Sequence, residues 1–391
     1  MNSLYHYCQG FSHKATDKPC QDCAYAENSP ELSMAIVSDG HGGARYFRSD
    51  KGSTFAVEIA KESIHEFVNE MKENPVFQGR SFTAYGVELP EASQKDKALQ
   101  SLKWLVSSII SKWNARIVED ATARPLTEWE NQHVEEKYRI EFEENVKNPE
   151  GSFEKTYGCT LMVYVQTPDY WFAFHIGDGK AVFFNVREDK FEPSQLIPWD
   201  EKCFLNKTTS ICDSDAVNEF RYCFCGDGAF PDAVFLGSDG MDDTYGDGDK
   251  LTDFYINLYK EIARTGKDAA LKKLVKVLPK ISAIGSKDDM SIACVYNEAN
   301  LTKDYFLMSA WQMEKLKEQE SNLIAKSDEL KVKIEKYGDE EKLNTSERIN
   351  LNYARKDLER AEASLKSIES KQKGLKSQDG KFRKQIARKK S

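Results

Sequence analysis

Three apolar segments of this chain end in Asp-Gly. They are "MAIVSDGHGG" with Asp39, "FAFHIGDGK" with Asp178, and "AVFLGSDGMDD" with Asp239. A strand that ends in this way places a carboxylate in the following loop, and the glycine lets other backbone come close. One Asp-Gly is an ordinary turn. Three of them at the ends of buried strands indicate a site that collects carboxylates.

Further acidic residues belong to the same pattern. Asp288 and Asp289 come directly before the apolar segment "MSIACV", and Asp22 lies in "PCQD". Several carboxylates in one place repel one another unless a cation joins them, and hard oxygen ligands select Mg²⁺ or Mn²⁺. Carboxylate-bridged metal pairs suit phosphoryl hydrolysis, because they generate hydroxide and neutralise developing negative charge. His41, two residues after Asp39, is then placed to act as a general acid.

Strands and helices must position these residues. Short apolar runs bounded by glycine predict strands within residues 1–40 and 160–187, and again at "AVFLGSDG" and "MSIACVYN". Apolar residues at helical spacing predict one helix after the first glycines, a second around Leu99 to Trp113, and two more between the last strands. Residues 74–94 are expected to form a loop, and residues 191–231 are expected to be irregular because prolines interrupt them.

Length and composition limit the possible classes of protein. The 391 residues predict one large domain with a smaller addition, and 40% hydrophobic residues are enough for a sizeable core. The net charge of -9 argues against a general nucleic-acid binder. No apolar run approaches the roughly 18 residues of a membrane span, and the N-terminus lacks the order of a signal peptide. We therefore expect a cytoplasmic protein whose nine cysteines are reduced.

Two cysteine pairs raise a second metal hypothesis. Cys20 with Cys23 forms C-x-x-C, and Cys223 with Cys225 forms C-x-C. Four thiolates could hold a structural zinc ion. Small buried side chains in strands and loops are the favoured interpretation, because paired zinc sites usually repeat the C-x-x-C spacing.

The C-terminal region has a different pattern. Residues 303–377 contain no proline and only two glycines, Gly338 and Gly374, and leucines recur at intervals of seven residues. This is the heptad pattern of a coiled coil. Gly338 can end one helix, and Asn344 with Glu347 can begin the next. We predict two domains, residues 1–300 and an antiparallel helical hairpin with a basic tail over residues 301–391.

The role of this hairpin stays open at the level of sequence. The heptad stripe of residues 303–377 can pack on the first domain, bind a protein partner or mediate self-association. The basic tail is either a frayed, solvated end, which is the favoured interpretation, or a contact with an anionic surface.

The motifs, taken in order, resemble a known family. The order "QD … SDGHGG … YGCT … HIGDGK … GSDGMDD … KDDMSI" is similar to the metal-dependent serine/threonine protein phosphatases of type 2C, over residues 8–297. The segment "NKTTSICDSDA" is closer to bacterial-type members than to animal ones. The resemblance implies an α+β fold: a four-layer α-β-β-α sandwich of two antiparallel sheets flanked by helices, with metal ions at one edge.

The resemblance also implies an activity and a set of site residues. The expected reaction is hydrolysis of phosphoserine and phosphothreonine in phosphoproteins by a metal-bridged hydroxide, with two and possibly three Mn²⁺ or Mg²⁺ ions. Asp39 would bridge two ions and His41 would protonate the leaving oxygen. The remaining metal residues would be Gly40, through its carbonyl, Asp239 and Asp288 at the first ion, Asp22 behind the ligands or at the second ion, and Asp178 and Asp243 at a weaker third site.

Some positions depart from the family pattern. Gln21 stands where the family often has Glu, and Asp17 stands where an Arg usually binds the substrate phosphate. Residues that could replace this Arg are His13, Lys14, Lys18, Arg45 and Arg48. Within the acidic pair, motif spacing favours Asp288 over Asp289 as the ligand. The missing Arg motivates an alternative function: a weakly active or inactive phosphatase-like domain that binds phosphoproteins or acts as a scaffold through its hairpin.

Overall fold

The structure is a computed structural model that describes residues 1–83, 96–203, 207–246, 248–338 and 340–390, with side chains described through residue 388. It divides into two compact units. The first contains residues 1–188 and 192–301, and the second contains residues 189–191 and 302–391. The loop predicted at residues 74–94 lies outside the described residues from residue 84 onward, and the prediction is wrong at Ser81–Thr83, which form a short strand paired with residues 223–225.

The strands of the described chain form two antiparallel sheets. The first sheet has the order β1-β11-β10-β7-β8, and the second has the order β2-β3-β5-β6-β9-β4. The strands are β1 (Asn2–Cys8), β2 (Asp22–Asn28), β3 (Ser33–Asp39), β4 (Ser81–Thr83), β5 (Leu161–Gln166), β6 (Trp171–Ile176), β7 (Lys180–Arg187), β8 (Lys190–Gln195), β9 (Arg221–Cys225), β10 (Ala233–Gly237) and β11 (Met290–Tyr296).

Helices lie between and after these strands. In the first unit they are α1 (Phe11–Ala15), α2 (Ser49–Met71), α3 (Lys97–Ala123), α4 (Glu128–His133), α5 (Glu136–Lys147), α6 (Ala216–Glu219), α7 (Asp239–Tyr245), α8 (Gly248–Thr265) and α9 (Lys267–Ile284). In the second unit they are α10 (Leu301–Glu335) and α11 (Thr345–Lys390). No helix in the described part of the chain is both long and apolar enough to cross a membrane.

The two sheets pack face to face and helices cover their outer faces. Val37 and Met162 of the second sheet meet Leu236 of the first in the core between the sheets. On the outer face of the second sheet, α2 and α3 bury a larger cluster that contains Trp113. On the outer face of the first sheet, Tyr255 of α8 stacks on Phe235 of β10 with ring centroids 4.9 Å apart. The predicted four-layer α+β sandwich is therefore confirmed.

The expectation that residues 191–231 are irregular is wrong in two places. β8 continues the first sheet beside β7, and β9 lies between β6 and β4 in the second sheet. β9 has the sequence RYCFC, with all five residues buried. A five-residue strand that starts with Arg lacks the alternation that identifies a strand in sequence, and its burial is decided by distant strands.

The four cysteines of the zinc hypothesis are far apart. Cys23 lies on β2, whereas Cys223 and Cys225 lie on β9. Three strands separate β2 from β9 in the sheet. At about 4.8 Å per strand, the two pairs are roughly 19 Å apart. One tetrahedral site cannot contain all four thiols.

The second unit is an antiparallel pair of helices. Tyr305 of α10 packs on Phe382 of α11 with ring centroids 4.2 Å apart, and the Gln372 amide donates to Glu320 at 2.7 Å. The predicted break is present: Gly338 has a φ of 59°. Asn344 and Glu347 cap α11 reciprocally, with bonds of 2.8 and 2.9 Å between backbone nitrogens and side-chain oxygens.

The heptad stripe of α11 is buried at five positions and half-buried at Leu358 and Leu365, and the helix is longer than expected. The buried positions are Leu351, Ala354, Ala361, Ile368 and Leu375. The interpretation of the basic tail as a frayed end is wrong, because α11 continues to Lys390. Phe382 anchors the last turns, and the guanidinium of Arg383 lies over the ring of Phe306, 4.7 Å from its centroid.

Candidate active site

The first candidate residues lie where β3 ends and the chain turns towards α2. Asp39 is the last residue of β3, and it is paired in register with Asp22 on β2. Thr160 fixes this strand end: its hydroxyl accepts from the Asp39 N–H at 3.0 Å, and its N–H donates to the Asp39 carbonyl at 2.8 Å. A Cβ on Gly40 would lie 2.7 Å from the carbonyl oxygen of Ser49, so only glycine fits there.

Gln21 stands where the family often has Glu, and its hydrogen bonds hold this turn in place. Its backbone carbonyl accepts from the Gly40 N–H at 3.0 Å. Its side-chain amide donates to the His41 carbonyl at 3.0 Å and also to the Ser49 hydroxyl. Its side-chain carbonyl oxygen is buried and has no partner among the described residues. Gln21 therefore positions the Asp39–His41 turn.

The next carboxylates come from the ends of other strands. Asp178 lies in the turn between β6 and β7, and Asp239 starts α7 directly after β10. Asp243 follows one turn later on α7. The neighbouring Asp242 is occupied elsewhere, because its carboxylate accepts from the Lys180 ammonium at 2.6 Å. The strand ends thus bring three of the predicted carboxylates to the same edge of the sandwich.

The acidic pair before β11 has divided roles. Asp289 is 3% exposed, and its two oxygens accept from the N–H groups of Gly10 and Gln21, both at 2.6 Å. The side chain of Asp288 is 52% exposed and carries neither of these backbone contacts. His13 lies beside both, 2.9 Å from an Asp289 oxygen and 3.6 Å from an Asp288 oxygen. The Asp289 carboxylate therefore links the backbone at Gly10 to the backbone at Gln21. The Asp288 carboxylate lacks these contacts and is the freer of the two.

One cavity of about 650 Å³ collects these groups. The predicted residues that line it are Asp39, Gly40, His41, Asp178, Asp239, Asp243 and Asp288. Asp22 is buried behind Asp39 and does not line the cavity. Within the described chain, the one set of three metal-capable side chains with atoms inside 4.8 Å of one another is His13, Asp288 and Asp289. The predicted ligands thus share one cavity without being drawn into a tight cluster.

The carboxylates of the cavity destabilise one another's charged forms. Burial, and then the charges of Asp22 and Asp239, raise the pKa of Asp39 well above its usual value. Burial also raises the pKa of Asp239, and Asp178 and Asp288 add to this. Such shifts mean that negative charge at this edge has too few cationic partners within the protein.

His41 lies at the side of the cavity. The ring of Tyr46 meets it edge-on with centroids 4.8 Å apart. Burial lowers the pKa of His41 to about 4, whereas the nearby Asp213 acts in the opposite direction. A phosphate dianion next to the ring would raise this pKa, because a neighbouring negative charge favours the imidazolium.

Most of the cations considered as replacements for the missing Arg are engaged. Arg48 is fully buried and its guanidinium is bonded to Glu130. Arg45 pairs with Glu141 at the surface. Lys18 donates to the Gly42 carbonyl at 3.1 Å and does not line the cavity. His13 does line it, beside the acidic pair.

Lys207 is the one lysine or arginine of the described residues that lines this cavity. The sequence analysis did not single it out, although Lys207 lies within the segment "NKTTSICDSDA" that contributes to the family resemblance. The fold brings residues 207–213 to the rim of the cavity, and the sequence of this segment alone does not show that.

The residues of the cavity suit hard divalent cations. The Asp22 carboxylate is buried beside the hydroxyls of Ser238 and Ser291, and burial, followed by the charge of Asp289, raises its pKa well above its usual value. The lining offers carboxylate oxygens and few cations, and oxygen donors are the ligands that Mg²⁺ and Mn²⁺ prefer. A divalent ion would compensate the buried negative charge that the protein itself leaves unpaired.

Comparison with known proteins decides the family. The sequence profile of the family described as Protein phosphatase 2C matches residues 9–278. The chain belongs to the protein phosphatase 2C family. The resemblance inferred from the motif order is thereby confirmed. A search of curated proteins finds no match.

Solved structures of this kind are similar over about three quarters of the chain. The serine/threonine phosphatase PstP/Ppp from Mycobacterium tuberculosis is 12% identical, covering 76% of this chain and 99% of its own, with a TM-score of 0.41. Stp1 from Staphylococcus aureus is 15% identical, covering 76% and 94%, with a TM-score of 0.42. PppA from Pseudomonas aeruginosa is 14% identical, covering 75% and 96%, with a TM-score of 0.40.

Proposed function

We propose that this protein phosphatase 2C family member hydrolyses phosphoserine and phosphothreonine in proteins, with Mn²⁺ or Mg²⁺ as cofactor. The observation that carries the proposal is the cavity in which the ends of β3, β6 and β10 and the start of β11 place carboxylates beside His41. Burial first, and then the neighbouring carboxylates, raise the pKa of Asp39 and of Asp239, and this supports cation binding because a divalent ion would compensate the buried negative charge.

The proposed metal residues are those of the sequence prediction. Two ions would be held by Asp39, the Gly40 carbonyl, Asp239 and Asp288, with Asp22 behind them, and a third, weaker site would use Asp178 and Asp243. When bound, such ions lower the pKa of a water molecule and neutralise charge on the phosphoryl oxygens. The proposed role of His41 is to donate a proton to the leaving serine or threonine oxygen. Tyr46, packed edge-on against the imidazole, would hold the ring in place.

The test is hydrolysis of p-nitrophenyl phosphate and of a phosphothreonine peptide, with Mn²⁺ and then with a chelator. We expect turnover with Mn²⁺, little turnover with the chelator, and loss of turnover in Asp239→Asn. Asp169→Asn is the matched control, because Asp169 is exposed and does not line the cavity. Turnover that persists in Asp239→Asn or in the chelator would contradict the proposed site.

A second candidate function rests on Asp17. This residue has a φ of 53° and stands in the position of the family's phosphate-binding Arg. No arginine of the described residues lines the cavity, which favours a weakly active or inactive domain that binds phosphoproteins or acts as a scaffold. Mn²⁺-dependent binding of the phosphothreonine peptide without turnover, in a folded protein, would support this alternative.

We further propose that residues 303–377 bind a protein partner or a second copy of the chain. Four apolar side chains of α10 and α11 are about half exposed or more: Ile324, Val332, Ile349 and Tyr353. Sedimentation of the wild type and of the double variant Ile324→Glu/Val332→Glu tests self-association. A dimer that is lost in the variant supports self-association, and a monomeric wild type excludes it.

The predicted cytoplasmic location is supported by the nine cysteines, all of which are free thiols.

A further inference from the structure

The short helix α1 is tied to the segment that precedes β11. The N–H and the hydroxyl of Ser12 both donate to the Lys287 carbonyl, at 2.9 and 2.7 Å. A Cβ on Gly10 would lie 2.3 Å from the carbonyl carbon of Asp288, so only glycine lets the two segments come this close. Lys287 has a φ of 68°, a backbone conformation that is uncommon outside glycine and clusters at functional sites. His13, the residue after Ser12, is therefore held against the acidic pair.

The two ring nitrogens of His13 lie beside different carboxylates. Nδ1 is buried, forms no hydrogen bond with the described residues, and lies 2.9 Å from an oxygen of Asp289. Nε2 lies 3.6 Å from an oxygen of Asp288. The charge of Asp289 is the nearer and the more deeply buried of the two, and it favours the proton on Nδ1. The lone pair of the imidazole is then on Nε2, next to Asp288.

The separation of Nε2 from the Asp288 oxygen suits two ligands of one ion. Ligand atoms that each lie about 2.1 Å from a divalent cation are roughly 3.0–3.6 Å apart at angles of about 90–120°. The observed 3.6 Å lies at the end of this range. Within the described chain, His13, Asp288 and Asp289 are also the one group of metal-capable side chains with atoms inside 4.8 Å of one another. A carboxylate beside the other nitrogen of a metal-bound imidazole is common, because it fixes the ring and its tautomer.

The acidic pair has little positive charge around it. Burial lowers the pKa of Lys18, whereas the charges of Asp288, Asp289 and Asp39 act in the opposite direction. The Lys18 ammonium donates to the Gly42 carbonyl at 3.1 Å and forms no ion pair with the described residues. Among those residues, the ion-pair contacts of the acidic pair are to the neighbouring imidazole alone. A divalent ion would supply the missing positive charge.

We propose that His13 is a ligand, through Nε2, of the divalent ion held by Asp288, and that Asp289 keeps the proton on Nδ1. The inference rests on the proposed phosphatase function, and it adds a nitrogen ligand to a set that was predicted to consist of oxygen atoms. An imidazole ligand favours transition-metal ions, whereas Mg²⁺ prefers oxygen. The site should therefore bind Mn²⁺ in preference to Mg²⁺.

The first test is electron paramagnetic resonance of the full chain, titrated with Mn²⁺ from below one equivalent to saturation. The protein carries ¹⁵N only in its histidines, so that a bound imidazole is distinguished from backbone nitrogen. We expect a histidine-nitrogen coupling to Mn²⁺ in the wild type, its loss in His13→Ala, and its retention in His41→Gln, since His41 also lines the cavity. His65→Gln is the control, because His65 is half exposed and lies outside the cavity. Absence of the coupling from the wild type at every loading would overturn the proposal.

Calorimetry of Mn²⁺ and Mg²⁺ binding separates a metal ligand from a residue that only supports the fold. His13→Ala should weaken Mn²⁺ binding by about 10- to 100-fold, and should weaken Mg²⁺ binding much less. An equal loss for the two ions would overturn the proposal, because it would indicate a structural role. Unchanged affinity for both ions, with weaker binding of inorganic phosphate to the Mn²⁺-loaded variant, would also overturn it. His13 would then bind the phosphoryl group in place of the missing Arg.

Failure of the proposed function is distinguishable from failure of this inference, because neither readout needs turnover. Mn²⁺-dependent hydrolysis of p-nitrophenyl phosphate without a histidine coupling at any loading would leave the function standing and refute the inference. A histidine coupling that is lost in His13→Ala, in a protein that hydrolyses neither p-nitrophenyl phosphate nor a phosphothreonine peptide, would refute the function and support the inference.

Discussion

Arg48 is a buried cation directly after the "DGHGG" turn, and replacing it should strongly destabilise the first unit. Its guanidinium donates to the two Glu130 oxygens at 2.6 and 3.1 Å, to the Tyr157 hydroxyl at 3.0 Å, and to the Arg124 carbonyl at 3.1 Å. Glu130 is 4% exposed. Arg48→Met would therefore leave a buried carboxylate without its cation. Removing one partner of such a pair costs about 3–5 kcal/mol.

The assay is urea unfolding of the wild type and variants, with the free energy of unfolding as the measured quantity. Arg45→Met is the matched control three residues away, because the Arg45–Glu141 pair is 44% exposed on each side. An exposed pair contributes about 0–1 kcal/mol. Adding Glu130→Gln to Arg48→Met should recover part of the loss, since the buried charge is then removed. If Arg48→Met loses no more than Arg45→Met, the role assigned to this buried pair is wrong.

Three further predictions concern the site and the hairpin. Gly40→Ala should weaken Mn²⁺ binding by about 10- to 100-fold, because the added Cβ would lie 2.7 Å from the Ser49 carbonyl oxygen. Calorimetry measures the affinity. An unchanged affinity would show that the turn has room for the added Cβ. In chelator, Asp239→Asn should raise the free energy of unfolding by about 1 kcal/mol or more, because it removes one of several repelling carboxylates. Mn²⁺ at about 100 times its Kd should add about 2.7 kcal/mol to the wild type and less to the variant; urea unfolding checks both. Phe382→Ala should cost the hairpin about 3–5 kcal/mol and speed amide exchange at the end of α11, whereas the exposed Tyr353→Ala should change little.

The parts of the fold that sequence predicts are those with local signals. Glycines after apolar runs mark the ends of β3, β6 and β10, and the heptad of α11 predicts the buried stripe from Leu351 to Leu375. β9 was missed because its five residues carry no alternating pattern, and it is a strand only through pairing with β6 and β4. The last turns of α11 were misjudged because their composition is basic. One aromatic residue, Phe382, holds them.

The same contrast applies to the site. Motifs in the sequence predict some of its residues, whereas only the fold brings the others to the cavity. Motif order placed seven predicted residues in a single cavity, and spacing alone favoured Asp288 over Asp289. Asp288 as the ligand stays a prediction, and the contacts of Asp289 with the N–H groups of Gly10 and Gln21 leave Asp288 the freer carboxylate. Lys207 and His13 entered the lining through the three-dimensional arrangement of loops. His13 was already a candidate replacement for the missing Arg, whereas no local pattern singled out Lys207.

The central claim is that the carboxylates of the cavity hold the divalent ions that make hydrolysis possible. The most direct measurement is phosphate release from a phosphothreonine peptide as a function of free Mn²⁺, in the wild type and in Asp39→Asn. We predict saturable activation of the wild type by Mn²⁺, and no activation of Asp39→Asn at the concentration that saturates the wild type. Equal activation of both proteins, or wild-type turnover that does not depend on Mn²⁺ or Mg²⁺, would contradict the account.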